Sequence, residues 1–491
     1  MPAPFVVVVP TDAIEFNEVY RNFTGSGGYF VANNIYSRLV LHGTKSPAVF
    51  PDLASHWEVL DNARRFRFQL DPAALWHDGE QVTAHDVAYS HLHAIENNYH
   101  ASAFLTGVTG IEEIDEHTVE YTLEEPNSGF LTQLGNFAFT HILPAHLYEG
   151  TDWATNPYNL KPVGSGPFRF VEWVPGEHIV MERFDDYFGP RASMDQVIIK
   201  ITPDREEALR LVSDGEAQYM VEEILTPDRL ADFPPTEKAA LHYEPTPSIT
   251  FLGFNHEQER FTDERLRRAL AHAMDRSLLE EMPGYGTSIR SFFPPILEWA
   301  YNPDSEVVDS DLAEAERLLD EVGLVRGEDG IRAHFEVRYL AMFDGFRGIA
   351  SVIEKSLAAV GITITAVGLS SPDWTDQVTR GGQFDLLITG GNMLPDPEIT
   401  ASRFESTGKR NYHRYSSERT DAAYKAGRST MDRASRAAAY RDLQQGWADE
   451  TAIIPLYWGS IYMLRSRTHF GWSDQLDSRI PFWHWGRIRE V

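Results

Sequence analysis

A chain of 491 residues exceeds what one hydrophobic core organises and points to roughly three domains. Its 42% apolar and 12% aromatic residues suffice for packed cores, which excludes a disordered chain. With 43 basic against 73 acidic side chains, the net charge of −30 repels nucleic-acid phosphates and anionic lipid surfaces, and the lack of any cysteine excludes disulfides, thiol nucleophiles and zinc–cysteine or iron–sulfur centres. No apolar run approaches the ~20 residues that span a bilayer. Met1-Pro-Ala-Pro4 has neither the basic start nor the apolar run of a signal peptide, so an exported form would need a targeting segment that is not in this sequence.

In chain order, residues 6–10 open a buried strand, and Thr24-Gly-Ser-Gly-Gly-Tyr29 is a loop before a helical pattern over 30–40. Residues 56–58 and 66–70 are hairpin strands. Trp76-His-Asp-Gly79 is a turn, and Thr83 with Asp86 starts a helix as a capping box. Val163-Gly-Ser-Gly-Pro167 is a bend, expected to use positive φ at Gly164 and Gly166. Two strands follow, over 168–173 and 178–184, around the turn Val174-Pro-Gly-Glu177, and Asp185-Asp-Tyr-Phe-Gly189 ends the second. Residues 197–201 are a strand, and Asp204 with Glu207 caps a helix that stops at Gly215.

The second half alternates helices and strands. After a strand over 251–255, Thr262 is expected to cap a helix whose Leu266, Ala269, Leu270, Ala273 and Met274 form one apolar stripe. Helices over 312–322 and 349–360 lead to strands over 335–340 and 362–367, and 384–389 is a continuous apolar strand of the kind covered on both faces. Residues 421–447 are helical and 453–458 form a last strand. Such alternation makes an α/β domain.

Enzyme signatures are missing. Gly164-Ser-Gly-Pro167 lacks the spacing of a nucleophile elbow and the Gly-Lys-Ser/Thr of a phosphate loop. His91 and His93 point to different helix faces, a proline separates His141 from His146, and His413 lies beside Arg410 and Arg414; none makes a metal site. Adjacent acids such as Glu112-Glu113 and Asp185-Asp186 are solvated faces.

Several segments carry a resemblance. Trp76, Asp78, Gly79, Val82, Thr83, Asp86, Val87 and Ser90 match one motif, and the bend and hairpin of 161–189 match another. Ser213-Asp-Gly-Glu216 matches a third, with Gln218 where an Asp is usual; the helix from Phe261 to Arg276 and the strand 453–458 complete the series. In this order they resemble the family 5 extracellular solute-binding proteins, soluble receptors of ABC importers for peptides, nickel, some oligosaccharides and opines. The resemblance implies a periplasmic-binding-protein fold of type II, with two lobes discontinuous in sequence and an inserted domain. Lobe I is expected at 1–43, 162–252 and 457–491, the inserted domain at 44–161, and lobe II at 253–456, with chain crossings near Asn255 and Leu456.

The implied function is capture of a solute between the lobes by hinge closure, without covalent chemistry, cofactor or metal, by a monomer that delivers to membrane permease subunits. The implied location is extracytoplasmic, in the periplasm or lipid-anchored outside the cell membrane. Expected ligand contacts are Ser26, Gly27 and Tyr29 in the first loop, Trp374, the stretch Gly391, Asn392 and Met393, Asn411, Tyr457 and Trp458, with Arg347 a candidate for an anionic group. Peptide receptors place an aspartate at the position of Met393 to hold the ligand's amino group. Methionine cannot, so an oligosaccharide, an opine or a capped peptide stands beside the ordinary peptide as ligand; Glu398 is an alternative acid. A hydrolase or transferase is the reading from another class.

Overall fold

Phe5–Val9, with four consecutive valines, is the central strand that β-branched residues favour. In the computed structural model it pairs in parallel on both sides, with Val7 opposite Ile199 of Gln196–Ile201 and opposite Tyr219 of Tyr219–Glu222. The structure describes residues 4–21, 27–42, 48–135, 140–222, 236–281, 286–341, 344–392, 396–467, 469–470, 485 and 489–490.

One mixed sheet runs through the molecule. From one edge its order is Ile362–Leu369, Ala333–Leu340, Leu386–Asn392, Ala239–Phe254, Ile453–Ser466, Tyr219–Glu222, Phe5–Val9, Gln196–Ile201, His178–Arg183 and Phe168–Val174. The short strand Thr287–Ser288 adds to Ile453–Ser466. Two members are unusually long, at 16 and 14 residues, because each serves both halves. The end of Ala239–Phe254, from Ser248 onward, pairs with Leu386–Asn392. The end of Ile453–Ser466, from Tyr462 to Arg465, pairs with Tyr219–Glu222. Between them the ladder is irregular, with a register shift between Pro245 and Ile249. Pro245 and Pro247 lack the N–H a ladder needs, and a bulge there is the ordinary result.

Apolar burial follows this division. One core joins Phe5, Val9 and Ile199 to Phe68, Trp76, Tyr121 and Trp153 of residues 44–161. A second collects Phe251, Leu270, Ile353, Leu386, Tyr440 and Trp447. A small third cluster packs Leu211 and Val212 against Val8 and Leu464. Residues 44–161 carry a four-stranded antiparallel sheet, ordered Ala54–Leu60, Arg65–Leu70, Thr118–Leu123, Val108–Asp115, and the helix Ala84–Glu96. That helix starts with the expected Thr83/Asp86 capping box.

This sheet domain also reaches the second half of the chain. Ser128 N–H and Oγ–H donate to Arg428 O (3.0 Å) and Gly427 O (3.1 Å), and Asn62 Nδ2 donates to Ser429 O (2.8 Å). All three acceptors lie at the C-terminal end of helix Glu418–Arg428, where main-chain carbonyls lack partners within the helix.

Several local expectations need correction. The helix over 30–40 is Gly28–Ile35, and Val40–His42 is a strand. Asn33 and Asn34 turn their amides onto Tyr29 O and Phe30 O, competing with the backbone, and Tyr36 is already extended. Asp263, not Thr262, caps Glu264–Ala273 through Arg265 N–H; Thr262 ends a separate turn, its hydroxyl on Glu259 O at 2.7 Å. The helix over 421–447 is two, Glu418–Arg428 and Arg433–Glu450, because Asp432 caps a new start on Ser435 N–H. Gly164 and Gly166 do not use positive φ. They are glycines because the chain passes against Asn34 and Ile35, where a Cβ at Gly166 would lie 2.6 Å from Asn34 O.

Candidate functional site

The register places several expected ligand residues side by side. Gly391 is opposite Ile249, Ile249 is opposite Trp458, and Trp458 is opposite Thr287, a rung across four strands. The adjacent rung sets Gly390 against Thr250, Thr250 against Tyr457, and Tyr457 against Ser288. Both rungs lie immediately beyond the irregular stretch after Pro245. Trp458 is half-buried, whereas Tyr457 is fully buried with its hydroxyl on Leu279 O at 2.7 Å.

The other expected residues lie elsewhere. Gly27 is buried, its N–H on Asp12 O at 3.0 Å, and half-buried Tyr29 meets Phe30 edge-on at 5.7 Å. Trp374 opens a π-helical turn, Trp374–Arg380, and is buried with Leu369, Val378 and Phe384, with Tyr412 perpendicular to it at 5.9 Å. Asn411 is buried and ties its own loop together, donating to Glu405 O (3.1 Å) and Tyr415 O (2.6 Å) and accepting from Tyr415 N–H (3.0 Å). Arg347 is exposed on Asp344–Ala359. Ser26 and Met393 lie outside the described residues, as does the side chain of Asn392.

Glu398 is buried, 3% exposed, within an ion-pair network. Arg428 bridges it (2.7 Å) to Glu405 (2.8 Å), and nearby Asp396 holds Arg436 at 2.8 Å. Burial outweighs the attraction of Arg428, and with Glu405 and Asp396 close by the Glu398 carboxyl is pushed up to about 8. Phe104, Leu123, Gln133, Glu398, Arg410 and Arg428 line part of a cavity of about 330 Å³ between the region of the four-stranded sheet and the second half of the chain.

Sequence spacing gives no sign of Arg403. Its Nη1 donates to Gly390 O, and its guanidinium lies across Gly391 so closely that a Cβ there would collide with it. Burial, followed by the charge of Arg410, lowers Arg403 to about 10. His413 is wedged between Phe404 (5.1 Å) and Phe251 (5.9 Å); burial first, then His256 and Arg403, hold it neutral. His100, on the facing domain, is lowered to about 4 by burial and then by Arg410. Among the described residues no three His, Cys, Asp or Glu side chains form a metal-binding group, and no helix is long and apolar enough to cross a membrane.

The chain is similar to solute-binding proteins over nearly its whole length. The dipeptide-binding protein of Escherichia coli K12 is 24% identical over 473 residues, covering 89% of this chain and 86% of that protein. The oligopeptide-binding protein AppA of Bacillus subtilis, solved with a nonapeptide, superposes with a TM-score of 0.81 at 22% identity, covering 100% of this chain and 99% of that one. AgaA of A. tumefaciens R10, solved with agropinic acid, gives a TM-score of 0.82 at 22% identity with the same coverage. These likenesses establish the two-lobed type II periplasmic-binding fold. The sequence profile described as "Bacterial extracellular solute-binding proteins, family 5 Middle" matches residues 48–412, and the chain belongs to that family.

Proposed function

We propose that this chain, a solute-binding receptor of an ABC transporter, captures a peptide-like or other oligomeric polar solute between its lobes and closes on it by a hinge. The observation that carries this reading is the pair of long strands shared by both halves. They provide two chain crossings, and the irregular ladder around Pro245–Ile249, opposite Trp458–Ser460, is where a hinge bends most easily. On this reading lobe I is 1–43, 162–252 and 457–491, lobe II is 253–456, and 44–161 is an inserted domain. The rungs through Gly391 and Trp458 then edge the cleft, with Gly27, Tyr29, Trp374 and Asn411 shaping its surroundings. The receptor works as an extracytoplasmic monomer that hands its solute to permease subunits, free or lipid-anchored.

A second reading, an oligosaccharide or opine as the solute, is favoured by Met393, which supplies no carboxylate for a peptide's amino group. One experiment separates the two: native mass spectrometry of freshly purified protein, followed by denaturation and identification of what is released. Peptides with free amino termini support the first reading, and a sugar, opine or blocked peptide supports the second. Small-angle scattering with and without the released compound tests the hinge. An unchanged radius of gyration at saturation refutes closure.

A further inference from the structure

We propose that Gly129 of the four-stranded-sheet region and Glu398 of the second half form a proton-operated latch, which shuts only over a carboxyl that carries its proton. The latch rests on the hinge closure proposed above and makes that closure depend on pH.

The latch joins two parts of the chain that are far apart in sequence. Gly129, just before the short helix Phe130–Leu134, lies so close on Glu398 that a Cβ there would stand 2.6 Å from Glu398 Cβ and 2.8 Å from its Cγ. Those atoms adjoin the Glu398 backbone and have little room to give. Gly129 has a φ of −86°, open to any residue, so glycine is needed there for the approach and not for the backbone. Ser128 beside it donates twice to the end of helix Glu418–Arg428, which fixes the approach. Asn127 and Gln133 of the sheet region then share a cavity with Glu398, Glu405 and Arg428. Covered from this side, Glu398 is left only 3% exposed.

The charges under this cover do not balance. Arg428 meets both Glu398 (2.7 Å) and Glu405 (2.8 Å) with one nitrogen, Nη2, while its enclosed Nε finds no acceptor among the described residues. A guanidinium shared in this way lacks the paired geometry that holds a carboxylate most strongly. Asp396, near Glu398, is matched by Arg436 at 2.8 Å. The cavity lining adds Glu124 and Glu125 from the sheet region and Lys409 and Arg410 from the second half. Tyr440 and Tyr424 stay neutral, their hydroxyls raised by burial, as does His100, lowered by burial and then by Arg410. Five carboxylates thus face four cations. The surplus falls on the pair that shares Arg428, in which Glu398 is the more deeply buried, at 3% against 21% exposed. A proton on Glu398 removes it, in keeping with a carboxyl that burial first of all pushes up to about 8. When the sheet region lifts away, water solvates the carboxylate and its ordinary value of 4.5 returns. Shutting therefore takes up a proton between those values. Closure is favoured in full below pH 4.5 and weakens as pH rises toward 8, by up to about tenfold per pH unit. The receptor then holds its solute more tightly in acidic than in alkaline surroundings.

The chain has no cysteine, so two spin labels can be placed cleanly, through Glu112→Cys on the sheet region and Ala426→Cys on helix Glu418–Arg428, both exposed. Pulsed electron resonance reads the distance between them at pH 6, 7, 8 and 9, with no solute added. Three labelled proteins are compared: the chain otherwise unchanged, the chain with Glu398→Gln, and the chain with Gly129→Leu. In the first, the shut population should fall relative to the open one by up to about tenfold per pH unit between 6 and 8. Glu398→Gln keeps the shape of the protonated carboxyl and should give one distribution at every pH. Gly129→Leu should hold the open distance throughout, with an unchanged circular dichroism spectrum, because only the approach requires glycine. A pH response that survives in Glu398→Gln overturns the latch, and so does an unchanged chain whose distances ignore pH. In the latter case Gly129→Leu separates the readings. A longer distance in that variant leaves the hinge standing without the latch, whereas one distance in all three proteins removes the hinge reading as well.

Discussion

Replacing Glu398 by Gln should change how stability depends on pH. The carboxyl is 3% exposed, and burial raises it from the ordinary 4.5 to about 8 despite its contact with Arg428. Between those values the folded chain holds a proton that the unfolded chain has released, so this group's contribution to stability is complete below pH 4.5 and is lost as pH rises toward 8. The slope is about 1.4 kcal/mol per pH unit, and a shift of this size amounts to about 5 kcal/mol in all. Glu398→Gln removes the titration and leaves Arg428 paired with Glu405. Urea unfolding of both proteins, followed by tryptophan fluorescence at pH 5, 6, 7 and 8, gives the difference directly because every other group cancels. Wild type should lose ground steadily relative to the variant and level off above pH 8. A constant difference across the range would refute the reasoning, because it would mean that Arg428 keeps the carboxylate ionised in spite of burial.

Three further outcomes follow from packing and capping. Trp447 is fully buried against Phe404 at a ring separation of 4.3 Å and against Phe292 and Phe293, so Trp447→Ala should cost about 3–5 kcal/mol in denaturant unfolding. Asp263→Ala should cost about 1 kcal/mol through loss of the helix cap and Thr262→Ala well under that; equal losses would contradict the capping assignment. Asp396→Ala strands Arg436 in a buried site and should cost about 3–5 kcal/mol, most of it regained when Arg436 is also replaced by Met, as a double-mutant cycle would show.

Sequence reading reached the elements whose periodicity or end signals are strong. The apolar strand around Leu386, the Thr83 capping box and the stripe of Leu266, Ala269 and Leu270 all stand as expected. It failed where a side chain competes locally with the backbone, as Asn33 and Asn34 do, or where two caps stand next to each other, as at Thr262 and Asp263. The long strands exceed their expected spans because their outer halves, around Tyr243 and Tyr462, are recruited by partners far away in sequence. Arg403 could not be found by spacing. Its meaning depends on Gly391, twelve residues earlier, which is brought beneath it by the sheet. Met393 is the opposite case, because the expectation there rests on one residue type at a fixed offset from Asp396-Pro397.

Asn62 and Ser128 hold the end of a helix and not its side chains. The acceptors are the carbonyls of three consecutive residues, Gly427, Arg428 and Ser429, so these bonds read where the helix stops and not which side chains it carries there. Water satisfies the same carbonyls when these bonds are not made, so each is worth only about 0.5–1.5 kcal/mol net. On the proposed hinge closure, such a socket would guide the domains into register without locking them together, and the balance between open and shut would stay within reach of what one small solute supplies.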